Sequence, residues 1–220
     1  MTRQELMRFA YTRSLPLSIR QKIESVLIPA FPPAFSSQKI LFIHIPKTGG
    51  KSIGHLIGMK RANHSSYMDY RQLLGEDRLN EYFIFSLVRD PADRLISTWK
   101  YLDAGGNRSK EDAQARKAIF EPYKNINDFV ARRLTNLAGE SLFFRSQTSF
   151  LKDSEGHLAK DITIVHLENL DREKHLLPDC IRSKKIPHLN KTKSEEISLT
   201  NESMATIKAT YHEDYEMLGY

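Results

Sequence analysis

Lys39-Ile40-Leu41-Phe42-Ile43-His44-Ile45-Pro46-Lys47-Thr48-Gly49-Gly50-Lys51-Ser52 passes without a break from an apolar run into a dense polar loop. Residues 39–45 are short, rich in β-branched side chains and ended by Pro46, the pattern of a strand buried on both faces. Residues 46–52 read as loop, and residues 52–60 predict a helix. Two further units follow the same order. Residues 82–88 form a second apolar run that ends at Arg89-Asp90-Pro91. After it Leu95, Ile96, Trp99 and Leu102 recur at helical spacing, with Pro91 where a first turn tolerates it. Residues 162–167 form a third run, followed by Glu168-Asn169-Leu170 and another helical pattern. Strands alternating with helices predict an α/β fold, a parallel sheet covered on both faces. In such sheets ligands collect at the carboxyl ends of the strands, which is where the polar loop and Arg89 stand.

The rest of the chain bounds what this sheet belongs to. With 220 residues the default is one compact domain, burying roughly 70% of its unfolded surface. Residues 103–151 are mostly helical in pattern, with a charged stretch over 107–117 that reads as a mobile loop, and residues 201–218 predict a closing helix. Residues 1–28 hold two short helical patterns among basic residues, one with Leu6, Phe9 and Ala10, the other with Leu17, Ile23, Leu27 and Ile28. Pro29, Pro32 and Pro33 then predict an extended connector. The expected organisation is an N-terminal helical arm over 1–38 and one α/β domain over 39–220. The arm reads as helices capping the domain edge, with peripheral membrane contact as the functional alternative.

Composition excludes several classes of function. The single cysteine, Cys180, makes no intrachain disulfide and builds no cysteine-based metal site. No stretch approaches the roughly 18 consecutive apolar residues of a spanning helix. Arg3, Arg8, Arg13 and Arg20 break up the first residues, so neither a transmembrane helix nor a secretory signal is read. A net charge of +6 and a pI near 9.3 favour an anionic partner. The basic residues are scattered among 27 acidic ones and no nucleic-acid motif accompanies them, so nucleic acid is not the expected partner. The histidines show no metal-ligating spacing, and no metal is called for.

The loop over 46–52 supplies two glycines that let main-chain N–H groups turn toward a ligand, two lysines, two hydroxyls and the start of a helix. That density suits a phosphate or a sulfate. A nucleotide triphosphatase loop needs a glycine at the position held by Ile45, and here Pro46 opens the loop instead. At the next strand end Arg89 offers a planar bidentate donor, and Ser97, eight residues on, adds a hydroxyl two helical turns away.

The stretch from His44 to Gly50, His-Ile-Pro-Lys-Thr-Gly-Gly, resembles the 5′-phosphosulfate loop of sulfotransferases that use 3′-phosphoadenosine 5′-phosphosulfate (PAPS). Lys51 stands where that family more often has Thr. Val88-Arg89-Asp90-Pro91-Ala92-Asp93-Arg94-Leu95-Ile96-Ser97 resembles its 3′-phosphate motif, and Asn63-His64-Ser65-Ser66-Tyr67 is similar to the segment that carries the proposed catalytic His in carbohydrate-type members. Weaker matches run through residues 165–170, 187–192 and 211–220. The resemblance implies an α/β, P-loop-like three-layer fold with a central parallel sheet flanked by helices. It implies PAPS as donor, held by Lys47, Thr48, Gly49, Gly50, Lys51 and Ser52 at the phosphosulfate and by Arg89 and Ser97 at the 3′-phosphate. Lys47 and His64 are the implied catalytic pair, Lys47 at the leaving oxygen and His64 as general base. His44, on the buried strand, is expected in a hydrogen-bonded core role. Glu168 is a candidate to orient a neighbour or assist as base, and Asn190, Lys191 and Thr192 to close over the donor. The implied acceptor is a hydroxyl of a carbohydrate or glycolipid and the expected location cytoplasmic. The rival readings are a P-loop kinase using ATP and a non-enzymatic basic anion-binding module.

Overall fold

The computed structural model describes residues 33–59, 63–106, 122–187 and 197–220. Three strands, β1 (Ile40–Ile43), β2 (Phe83–Val88) and β3 (Ile162–His166), form one parallel sheet in that order. The helices in chain order are α1 (Pro33–Gln38), α2 (Gly50–Leu56), α3 (Tyr67–Leu74), α4 (Glu76–Leu79), α5 (Pro91–Asp103), α6 (Ile126–Phe129), α7 (Thr135–Glu140), α8 (Thr148–Leu151), α9 (Leu170–Glu173), α10 (Asp179–Arg182), α11 (Asn201–Thr210) and α12 (His212–Leu218). A π-helical turn over Val130–Leu134 joins α6 to α7. The architecture is α/β, a central parallel sheet flanked by helices. Among the described residues no helix is long and apolar enough to cross a membrane.

The unbroken apolar runs of β1 and β2 have the burial they call for. Every residue of β1 is buried, and so are Ile84 to Val88, which leaves no alternation and means both faces of the pleat are covered. The one polar residue in these runs, Ser86, is fully buried; its hydroxyl donates to the Ile43 carbonyl at 2.8 Å, so its burial leaves no unpaired group. Ile43 pairs with Ser86 and Val88 with His166, so β2 runs past the end of β1 before it too gives out. This stagger sets the tips of β1 and β2 side by side at different heights.

Two apolar clusters hold the described residues together. One surrounds the sheet and includes Leu41, Phe42, Ile43, Ile53, Tyr70, Phe85, Phe150 and Ile181. The other joins Leu95, Trp99 and Leu102 of α5 to Phe129, Val130, Leu134, Phe144, Ile207 and Tyr211. Helix α5 thus starts at the sheet and buries its apolar face elsewhere. Its start is well specified: Asp90 caps it by accepting from the Asp93 N–H at 2.9 Å, and Pro91 takes the first helical position.

Three local expectations need correction. An extended connector was expected through Pro33, yet Pro33 opens α1, because proline costs nothing at a first turn whose N–H has no partner. Phe35 on that helix is fully buried, its ring 6.2 Å from that of Tyr70. Helix α2 begins at Gly50 rather than at Ser52, since Gly49 in the left-handed region already turns the chain into it. The single closing helix is two, broken at Tyr211, whose side chain is buried and donates to the Phe144 carbonyl at 2.7 Å. Of the expected arm over 1–38, residues 1–32 lie outside the described residues, as does the charged stretch over 107–117.

Candidate active site

The chain leaves β1 through His44, Ile45 and Pro46, all buried, and enters a loop whose shape is set by local contacts. Lys47 has φ 70° and Gly49 φ 80°. The left-handed region is costly for a lysine and free for a glycine, so strain at this tip falls on Lys47. Thr48 is fully buried and its hydroxyl donates to the Ile45 carbonyl at 3.0 Å. That hydroxyl braces the loop, so Thr48 has only its main chain to present to a ligand. The Ser52 N–H donates to the Gly49 carbonyl at 3.0 Å. Gly50 is required for space: a Cβ there would lie 1.9 Å from Cδ2 of His44.

The His44 ring that fills this space stacks on Phe42 at 5.4 Å and lies 4.5 Å from the His64 ring. Burial first, then the neighbouring His64 and Lys51, push His44 down to about 3, so its ring is neutral at physiological pH. Its carbonyl faces His64, with His64 Nδ1 at 2.7 Å. A carbonyl only accepts, so Nδ1 carries the proton and donates, and Nε2 of a neutral His64 keeps its lone pair. Burial lowers the His64 pKa and the bond to the His44 carbonyl opposes that, leaving it below the ordinary value. The segment is fixed by its neighbours: Asn63 donates to the Tyr70 hydroxyl at 3.1 Å and accepts from the Ser65 N–H, also at 3.1 Å. Ser66 caps α3 in a reciprocal box with Asp69.

At the β2 tip both main-chain groups of Arg89 are taken by one side chain. Gln147 accepts from the Arg89 N–H at 2.9 Å and donates to the Arg89 carbonyl at 2.7 Å. One residue on, the Asp90 N–H donates to Glu168 at 2.8 Å, and Glu168 also accepts from the Tyr220 hydroxyl at 3.3 Å. Glu168 therefore orients a neighbour, as one sequence expectation had it. His44 departs from expectation in part: the buried ring packs, and its carbonyl makes the hydrogen bond.

The two tips meet over α5. Tyr101 lies one helical turn beyond Ser97 on the same flank, and its ring carries the Lys47 ammonium at 4.1 Å and the Lys51 ammonium at 5.7 Å. Burial pulls the Lys47 ammonium down to about 8, and the nearby Lys51 and Arg89 charges add to the effect. Lys47 and Arg89, from adjacent strands, thus feel one another, and Lys51 lies beside them. Ser97 is half-buried, one helical turn before Tyr101 on α5. An open cleft of about 650 Å³ lies against the first turns of α5, between Asp93, Ile96, Ile197, Leu199 and Met204. The expected contribution of Asn190, Lys191 and Thr192 falls outside the described residues.

Sequence reasoning missed Tyr101, Gln147 and the hold of Glu168 on Asp90. Tyr101 had a usable signal, the helical spacing from Ser97; Gln147 had none. Such an arrangement concentrates positive charge beside a neutral imidazole with a free lone pair, which suits transfer of an anionic group to a hydroxyl. No curated protein and no solved structure matches the chain. A family model described as the sulfotransferase family matches residues 35–169, more than half of the sequence. Both strand tips, His64, Ser97 and Tyr101 fall inside the matched segment, and the chain belongs to the sulfotransferase family.

Proposed function

We propose that the chain transfers a sulfuryl group from PAPS to a hydroxyl of a carbohydrate or glycolipid acceptor by in-line displacement. The gathering of Lys47 and Lys51 over the one Tyr101 ring, with Arg89 near enough to add to the effect of burial on Lys47, is the observation that carries this reading. Cations gathered in a half-buried place repel one another, and an anion between them removes that cost. A nucleotide with a phosphosulfate at one end and a phosphate at the other fits two cationic strand tips better than a singly anionic ligand does. The donor supplies the sulfuryl group on a bridging oxygen.

In this reading Lys47, Lys51, the main chain of Thr48, Gly49 and Gly50 and the Ser52 hydroxyl hold the phosphosulfate, and Arg89 and Ser97 hold the 3′-phosphate. His64 Nε2 takes the proton from the acceptor hydroxyl as that oxygen bonds to sulfur. The bond from sulfur to the bridging oxygen breaks, its electron pair stays on that oxygen, and the Lys47 ammonium stabilises the charge that develops there. The leaving product is 3′-phosphoadenosine 5′-phosphate (PAP). His44 fixes the His64 ring through its carbonyl, so the lone pair is held ready in one orientation. Cytoplasmic location completes the proposal.

Transfer of label from isotopically labelled PAPS to a panel of saccharide and glycolipid acceptors tests it, with ATP and DNA as competitors. Label in the acceptor, unaffected by ATP, is the expected result; phosphate transfer from ATP overturns it. Thermal unfolding gives an independent arm: PAP stabilises clearly, and adenosine 5′-phosphate, which lacks the 3′ group, does so weakly.

A further inference from the structure

We propose that Gln147 is a positioning residue for the 3′-phosphate grip and that Asp214, in the last helix, holds Gln147 in place; this rests on the donor assignment above. Sheet pairing ends one residue short of Arg89. The last ladder pair of β2 is Val88 with His166, and the next main-chain N–H and C=O belong to the residue whose side chain is to meet the anion. Unpaired, that tip is free to swing.

The Gln147 amide takes the place of a missing strand residue, one atom accepting from the Arg89 N–H and the other donating to the Arg89 carbonyl. Gln147 is fully buried, so water cannot substitute for it. Its own position is set by Asp214, also fully buried, whose carboxylate accepts from the Gln147 N–H at 2.9 Å, the Thr148 N–H at 2.9 Å and the Thr148 hydroxyl at 3.0 Å. Three donors satisfy that buried carboxylate, which is what makes it a rigid anchor and not a destabilising charge. The relay takes none of the guanidinium donors of Arg89. It fixes where the side chain starts and in which direction it leaves, and keeps the planar fork for the ligand. Asp214 lies beyond the segment matched by the family, so this part of the chain contributes to a site whose other residues lie within it.

The test compares affinities for PAP and adenosine 5′-phosphate within each protein, a ratio that a general loss of stability does not move. Gln147→Met keeps the side-chain volume and removes both bonds to Arg89. PAP affinity is expected to fall by roughly tenfold to a hundredfold, the effect of misplacing a binding group by about 1 Å, with adenosine 5′-phosphate affinity nearly unchanged. KM for PAPS rises and kcat changes little, because Lys47 and His64 sit on the other tip. If Gln147→Met does not fold, Asp214→Asn, which leaves the Gln147 amide in place and weakens its anchor, is expected to lower the ratio in the same direction. An unchanged ratio in a folded variant overturns the proposal. A wild-type protein that does not prefer PAP overturns the donor assignment instead.

Discussion

The tips of β1 and β2 carry the two halves of one charged site and are built in opposite ways. The β1 tip holds itself: Thr48 reaches back to Ile45 and Ser52 to Gly49, contacts between residues three apart in sequence. The β2 tip is held by strangers, Gln147 on Arg89 and Glu168 on Asp90, separated by 58 and 78 residues. A locally closed loop keeps its shape wherever the strand ends. A tip held from afar is only as exact as the packing that brings its partners there. On the proposed mechanism the chemistry, which tolerates little error, falls to the first tip, and the recognition of a distant phosphate to the second.

Breaking the β1 tip is expected to cost rate above all. On the proposed mechanism His64→Ala lowers kcat by roughly a hundredfold to ten-thousandfold, and Lys47→Ala by about a hundredfold to a thousandfold. Both variants keep PAP binding within a few fold, read by calorimetry; a collapse of PAP affinity in either would erase the division of labour between the tips. Gly50→Ala comes next. A helical Gly→Ala change gains up to about 1 kcal/mol in propensity, whereas forcing a Cβ against the His44 ring costs about 1–3 kcal/mol. A net loss of stability in thermal unfolding is therefore expected, with activity falling as His44 and His64 are displaced.

The pH profile of kcat/KM reports the same tip. On the same mechanism Lys47 acts protonated, and with its pKa pulled down to about 8 by burial activity is expected to fall above that pH, by roughly tenfold per unit. His64 acts neutral and its pKa is lowered, so the acid limb lies below the ordinary histidine value. In kcat the alkaline limb moves upward, because bound anions favour the Lys47 ammonium. A smaller effect is expected of Thr48→Val, about 1 kcal/mol of stability for the lost bond to Ile45. Smallest is Glu168→Ala: that carboxylate is exposed, so water replaces it at the Asp90 N–H and the change stays below about 1 kcal/mol. A hundredfold loss of kcat in this variant would make Glu168 a base and displace His64 from that role.

What the sequence disclosed follows the same division. The β1 tip is one contiguous stretch, so its residue types, spacing and strand context could be read together. For the β2 tip Arg89 and Ser97 were picked out by the strand end and the resemblance to the 3′-phosphate motif, and Gln147 was not, since a contact across 58 residues leaves no periodicity behind. Strands β1 and β2 were read from unbroken apolar runs because both their faces are covered; β3 was read from the same kind of run although only Val165 of it is buried. The break at Tyr211 escaped the pattern because the apolar spacing continues through it; the backbone leaves helical geometry there, at φ -112° and ψ 29°, at the residue whose buried hydroxyl is bonded to Phe144. Thr48 was legible as a loop residue but not as a buried brace, a distinction that only packing makes.

Helix α5 is mounted on the second apolar cluster while its first turn is pinned to the sheet. Trp99, the sole tryptophan of the chain, packs in that cluster with its ring 5.5 Å from Phe129. Intrinsic fluorescence is consequently a private channel to the helical half. In a denaturant titration it reports the moment at which Ser97 and Tyr101 lose their footing, whether or not the sheet beneath has begun to melt.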